Sequence, residues 1–192
     1  MPKTNSQIEL IGVIEEVISN IGAARAFTAS SEEELRKELL RIQTQLAQIL
    51  RYLHKDSTER ITLGEDTVTE LENGIDRFEP YYDGFDPYAI ATRCRTAALM
   101  EVARTSARRA ERIYARADLA VGSRESALHR RYLNRLSDYL WAAARYLDAV
   151  RQESPAAASG MARLKELNAV NPMSLSNVKR FMQALEDEAQ RR

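Results

Sequence analysis

Arg104-Thr-Ser-Ala-Arg108-Arg109-Ala-Glu111-Arg112 and, about twenty residues on, Tyr132-Leu-Asn134-Arg135-Leu-Ser-Asp138-Tyr-Leu-Trp141 are the two most informative strings in this chain. At 3.6 residues per turn, Glu101, Arg104, Arg108, Glu111 and Arg112 fall within about one third of a helical circumference. Asn134, Asp138 and Arg145 share a second narrow face, with Arg131 and Trp141 at its edges. Leu133, Leu136, Leu140, Ala144 and Leu147 occupy the opposite side. Two long helices, each with a polar stripe and an apolar back, predict packed neighbours in an all-α bundle.

The rest of the chain supports that reading. Seven Gly and five Pro in 192 residues leave few breakers, and Ala, Leu, Arg and Glu abound. Upstream, Ile8, Ile11, Ile14, Val17, Ile18 and Ile21 predict a first helix over about 6–27, with Gly12, Glu15, Ser19 and Gly22 aligned on its other side. That alignment predicts close packing there by a ligand or another helix. Ser30 or Ser31 is predicted to cap a second helix, with Ser31-Glu32-Glu33-Glu34 as a capping box; the helix's apolar set is Leu39, Leu40, Ile42, Leu46, Ile49, Leu50 and Leu53. A third helix is predicted over 65–78, an aromatic loop over 79–88, a fourth helix over 89–120 and a fifth over 124–151. The expected architecture is a five-helix up-and-down bundle over 1–153. A linker (Ser154-Pro-Ala-Ala-Ala-Ser-Gly160) and an extra C-terminal helical segment follow over 154–192.

Charge narrows the function. The 28 basic and 28 acidic residues cancel. From Arg93 to Arg151, however, 13 Arg and no Lys stand against six acidic residues, a local surplus of +7. Guanidinium is suited to phosphates, carboxylates and buried ion pairs, so the stripes read either as inter-helix salt bridges or as an anionic-ligand or subunit-interface site. Asn134 favours the second, because Asn is a poor helix former with no charge to pair. Acidic residues inside the same stripes argue for a compact site and against a nucleic-acid face. The single cysteine, Cys94, excludes an internal disulfide and every cysteine-cluster metal site, and reads as an inert half-buried thiol. No protein-ligated metal is expected from Glu125 and His129 alone. No apolar run is long enough to span a membrane, and no signal peptide is evident, so a cytoplasmic location is expected.

The two strings resemble the signatures of the PduO-type ATP:cob(I)alamin adenosyltransferases, A-R-T-x-x-R-R-A-E-R and Y-L-N-R-L-S-D-x-L-F. Gln7 to Gly22 is similar to that family's R-V-E-A-Y-G-T-V-D-E-L-N-S-x-I-G, and Ile42-Gln43 and Leu71-Glu72 match shorter landmarks. The likeness covers about 3–151. It implies a homotrimer with sites between subunits, ATP with Mg²⁺ as adenosyl donor and cobalamin as acceptor. It also implies a corrinoid-dependent enzyme as recipient of the product. Residue by residue, it implies that Arg108 and Asn134 contact the nucleotide and that Glu111 orients that network. It pairs Arg104 with Glu15 of a neighbouring subunit and has Asp138 hold arginines of the cluster.

Departures from the pattern set further expectations. The family's T-G-D-x-G-x-T nucleotide loop precedes helix one, and Pro2-Lys3 aligns with the end of the segment after it. A divergent member lacking that loop is therefore expected, with Lys3 as its phosphate-contacting lysine. The family's D-E-L-N stands as Glu15-Glu16-Val17-Ile18, and its usual histidine before A-R-T is Glu101. The F-x-L-P-G-G segment, whose Phe lies under the corrin, is not recognisable; Tyr82, Phe85 or Tyr88 is expected in its place. Two alternatives stay open at this level. One is a non-catalytic member that binds a corrinoid or another ligand for delivery or regulation; the other is a purely structural trimeric bundle.

Overall fold

The structure, a computed structural model, describes residues 6–54, 63–82, 94–117 and 124–151. Five α-helices form: α1 (Ser6–Ala26), α2 (Glu33–His54), α3 (Asp66–Phe78), α4 (Arg95–Arg116) and α5 (Arg124–Val150). Single 3₁₀ turns stand at Ser30–Glu32 and Glu79–Tyr81. The chain divides into two units, Met1–Arg151 and Gln152–Arg192. The linker and helix expected over 154–192 lie outside the described residues.

Cross-helix bonds give the direction of each helix. Thr96 donates to the Phe27 carbonyl while Ser106 donates to Glu16, so α4 runs antiparallel to α1. Asn134 meets Glu111 and Arg145 meets Glu101, so α5 is antiparallel to α4. Arg77 reaches Glu38 and Gln45 reaches Glu70, so α3 is antiparallel to α2. The up-and-down alternation predicted from sequence is therefore present. Its spatial order is less simple, because α5 packs against both α4 and α3. It runs parallel to α3, with Arg131 on Glu65 at one end and the Phe78 and Tyr146 rings stacked at the other.

Helix ends correct three readings. α2 is not capped by Ser31: the backbone N–H of Ala29 donates to the Glu32 carboxylate, and the Glu32 N–H donates back to the Ala29 carbonyl. α4 begins at Arg95, later than the predicted residue 89, because Cys94 is extended there and its Sγ accepts the Ala97 N–H at 3.4 Å. Cys94 is buried outright, so its role is a cap and core packing. α4 also ends at Arg116 because Ala117 has left helical geometry. Leu40, placed in the apolar set, is instead largely exposed, while Leu39, Ile42, Leu46, Ile49 and Leu53 are buried as their spacing predicts.

The apolar core draws on every helix, including Ile14, Val17 and Ile21 of α1, Leu71 of α3, Met100 of α4 and Leu133, Leu136 and Leu140 of α5. Polar groups within it have partners. Tyr132 donates to Gln45 Oε1 at 2.8 Å and Tyr139 to Glu38 Oε2 at 2.7 Å, which ties α5 to α2. Gly74 allows α3 to approach the Tyr139 ring: a Cβ there would lie 2.5 Å from its Cε2. Gly74→Ala should therefore destabilise the protein by about 1–3 kcal/mol, although Ala is the better helix former. A denaturation midpoint at or above that of the unsubstituted protein would refute the close approach.

His129 is 1 % exposed, with its Nδ1 2.9 Å from the Tyr114 hydroxyl and its ring edge-on to Tyr52. Burial lowers its pKa to about 4, against a smaller upward pull from Glu125. Below an unfolded-state pKa near 6.5, the unfolded chain binds a proton that the folded chain refuses. The contribution is therefore complete above about pH 6.5, and up to about 3 kcal/mol is lost as pH falls toward 4. Urea unfolding across pH 7 to 4 should show that slope, and His129→Gln should flatten it.

Candidate functional site

The arginine surplus divides into two populations along α4 and α5. One is committed to carboxylates. Arg145 is 3 % exposed in its side chain, and its Nη2 donates to Glu101 Oε1 at 3.0 Å and lies 3.6 Å from Asp148. The other oxygen of Glu101 accepts from Arg104 Nε at 2.7 Å, so one carboxylate joins a buried guanidinium to a partly exposed one. Arg109 pairs with Glu16 of α1, and Arg131 with Glu65 of α3. The other population is open. Arg108 and Arg112 are exposed, and neither forms an ion pair among the described residues. Salt bridges thus account for one part of the stripes and leave Arg108 and Arg112 open.

Between the two arginine pairs, Asn134 Nδ2 donates to Glu111 Oε1 at 3.1 Å, joining α5 to α4. A carboxylate only accepts, so this bond fixes which end of the amide faces it. The side-chain carbonyl oxygen and second N–H of half-buried Asn134 are left for other partners, and its anchor Glu111 lies one turn along α4 from exposed Arg108. Glu111 thereby holds one end of the Asn134 amide.

Asp138 holds Arg135. That guanidinium donates to Asp138 Oδ2 at 2.9 Å and to Glu72 Oε1 of α3 at 3.0 Å. These two acceptors, Asp138 first, raise the pKa of Arg135. Glu72, known beforehand only as a short landmark, thus contributes to the α3–α5 seam. Next to it, the Tyr82 ring stands edge-on to Trp141 at 4.9 Å, and its hydroxyl donates to the Ile75 carbonyl at 3.4 Å. Burial, then Glu79, Asp76 and Asp138, raises the Tyr82 pKa. Tyr82 is thus brought to the edge of the α5 stripe. Phe85, Tyr88 and Lys3 lie outside the described residues.

On α1 the expected close packing divides. Gly12 faces open space, Ser19 donates to the Glu15 backbone carbonyl at 2.9 Å, and Glu15 is exposed. Gly22 instead makes room for Gln43, whose Nε2 would lie 2.9 Å from an added Cβ and donates to the Ile18 carbonyl. Within one chain Glu16, the neighbour of Glu15, bridges to α4 through Ser106 and Arg109. The signal for Arg145 was present in its place on the α5 stripe; its burial beside Glu101 was not. Among the described residues, no group of three or more His, Cys, Asp or Glu side chains is placed to hold a metal ion. No helix among them is long and apolar enough to cross a membrane.

Residues 1–147 match the family model for cobalamin adenosyltransferase. The chain belongs to that family. It is 34 % identical over 147 residues to the corrinoid adenosyltransferase of Citrobacter freundii, covering 74 % of this chain and 81 % of that one. It is 34 % identical over 152 residues to the Bacillus subtilis (strain 168) corrinoid adenosyltransferase, covering 77 % of each. Against corrinoid adenosyltransferase PduO of Salmonella typhimurium it is 31 % identical over 151 residues and spans 44 % of that protein's length. Among solved structures, a variant PduO-type ATP:corrinoid adenosyltransferase from Lactobacillus reuteri complexed with ATP superposes with a TM-score of 0.66 at 26 % identity. That match covers 77 % of this chain and 84 % of the other. A second variant from the same organism, complexed with cobalamin and ATP, gives 0.64 at 28 % identity, covering 77 % and 83 %.

The adenosyltransferase fold therefore presents open arginines beside clamped ones, and a substitution separates clamp from site. Asp138→Ala should cost under about 1 kcal/mol of stability, because Glu72 still holds Arg135 and all three side chains are half-exposed. Thermal unfolding that drops by much more would make Asp138 a structural residue first.

Proposed function

We propose that this protein transfers the 5′-deoxyadenosyl group of ATP to the cobalt of a reduced corrinoid, releasing triphosphate. The single observation that carries the reading is the fixed amide of Asn134 on Glu111, with the uncommitted guanidinium of Arg108 one turn along α4 from that Glu111. Family membership supports it, as do relatives solved with ATP and cobalamin.

In the reaction, the electron pair of cobalt(I) forms the Co–C5′ bond. The C5′–O bond breaks, and its electrons leave on triphosphate. The nucleophile is supplied by the corrinoid, so the residues position groups and stabilise charge. Arg108 receives the growing negative charge on the leaving oxygens through charge-assisted hydrogen bonds. Asn134, held by Glu111, offers one acceptor and one donor to the nucleoside. Asp138 keeps Arg135 off that surface, and the Tyr82–Trp141 pair offers an apolar wall for a flat macrocycle. Lys3 is assigned to phosphate, and Phe85 or Tyr88 shares the corrin side. Mg²⁺ supplied with the nucleotide would screen the phosphate charge and would need one or two protein carboxylates at most.

The assembly completing the site is a homotrimer in which Arg104 meets the neighbour's Glu15, and the product passes to a corrinoid-dependent enzyme. Anaerobic incubation with cob(I)alamin and Mg·ATP should yield the light-sensitive adenosylated product, and Arg108→Ala should lower the rate about 100-fold. No product above a no-enzyme control rejects the proposal; saturable corrinoid binding without turnover would replace it with a carrier role.

A further inference from the structure

We infer that Glu101 is a positioning residue that holds the Arg104 guanidinium edge-on, aiming its terminal nitrogens at an anionic oxygen from outside the chain. The inference rests on the adenosyl-transfer reading for what that oxygen does, though not for the geometry itself.

Four groups of alternating charge run from the interior to the surface. Asp148 is 2 % exposed and lies 3.6 Å from Arg145. Arg145, also buried, gives Nη2 to Glu101 Oε1 at 3.0 Å, and its guanidinium carbon sits 5.9 Å from the centre of the Trp141 ring. Glu101 gives its second oxygen to Arg104 Nε at 2.7 Å. The Arg104 side chain is 27 % exposed. Burial fixes the inner pair, because a charge removed from water keeps its partner at high cost to any alternative. Glu101 is therefore held at one end by a residue that cannot move far. Its free oxygen then sets where Arg104 can go.

The choice of nitrogen matters. A guanidinium carries five N–H groups, one on Nε and four on the terminal nitrogens. A carboxylate that took the terminal nitrogens side-on would use up the face best suited to another oxyanion. Here Glu101 takes Nε, and among the described residues Nη1 and Nη2 of Arg104 make no hydrogen bond. The result is a guanidinium with its plane and direction set and its fork unspent. Exposed arginines such as Arg108 have no such restraint, so Arg104 is the one pre-oriented open cation on α4. The acceptor chemistry is a carboxylate of a second copy of this chain or a phosphate of the nucleotide.

The unsubstituted protein gives the first test. In ¹⁵N-labelled protein, the Arg104 Nε–H signal, assigned by its loss in Arg104→Lys, should exchange with water at least about tenfold more slowly than those of Arg108 and Arg112. Exchange as fast as theirs overturns the inference, whether or not the protein turns over. The source of the outer oxygen follows from two arms. A shift of the Arg104 terminal nitrogens on adding Mg·ATP assigns it to phosphate. A shift in Glu15→Gln without nucleotide assigns it to the second copy, and silence in both overturns the inference.

Turnover gives the second test. Glu101→Gln and Arg104→Ala should each lower kcat/KM for ATP at least about tenfold, and the double variant should fall little further, because the first residue acts through the second. Losses that multiply mean that Glu101 works independently of Arg104 and refute the inference. Glu101→Asp keeps the charge and should retain more activity than Glu101→Gln at matched folded fraction. If no variant and no wild type turns over, the adenosyl-transfer reading fails, and the exchange measurement still decides the positioning.

Discussion

The position of α5, packed on α4 and α3 and hydrogen-bonded to α2 through buried polar groups, governs much of this structure. Leu133, Leu136, Leu140 and Leu147 are buried, and so are His129, Tyr132, Tyr139, Arg145 and Asp148. Apolar contact is nondirectional and would tolerate several registers; a buried hydroxyl or guanidinium would not. Tyr132 needs Gln45 and Tyr139 needs Glu38, which sets α2 against α5. His129 meets Tyr114 and Arg145 meets Glu101, which sets α4. Along the third side, Tyr139 is approached by Gly74 and Arg135 reaches Glu72, which sets α3. The register of three helices thus follows from a few polar demands made by a fourth.

That register also assembles the candidate site. Sliding α5 by one turn against α4 would part Asn134 from Glu111 and Arg145 from Glu101 together, since both pairs cross the same seam. The Tyr114–His129 contact, deep in the same interface, would be lost with them. The stabilising contacts and the proposed chemistry therefore share one alignment. It follows that clamped and open arginines can stand side by side without collapsing onto the same carboxylates. Glu101, Asp138, Glu16 and Glu65 are each occupied by a particular partner, and Arg108 and Arg112 are left to solvent.

Much of this was legible in the residues. Apolar spacing located all five helices, because a buried face recurs every three or four residues whatever it packs against. The two polar strings located Arg104, Arg108, Glu111, Asn134 and Asp138, since a helix that buries one side must show the other. Helix ends were read less well. Ser31 looked like a cap, yet the backbone turned one step earlier and Glu32 took the role. A cysteine at the start of α4 gave no capping signal because thiols rarely serve as caps. Pairing across helices was the least legible, for it depends on which helices become neighbours. Asp138 was expected to hold arginines of the cluster; which arginine it holds, Arg135 together with Glu72, depends on α5 lying between α4 and α3.

The departures from the family pattern also take on a physical meaning here. A histidine is usual where Glu101 stands, and an imidazole beside a buried guanidinium would add no negative charge to balance it. Glu101 supplies that charge and has an oxygen to spare for Arg104. On α1, Glu15-Glu16 puts one carboxylate on Arg109 of α4 in a half-exposed pair and leaves the other exposed on the glycine-bearing face. Substitution at position 101 adds a carboxylate that the buried Arg145 uses, while Glu15-Glu16 keeps the pair of negative charges of the family pattern. A site made in this way depends on which charges are already spent, and the residues to examine first are those whose hydrogen bonds stop one short of their capacity.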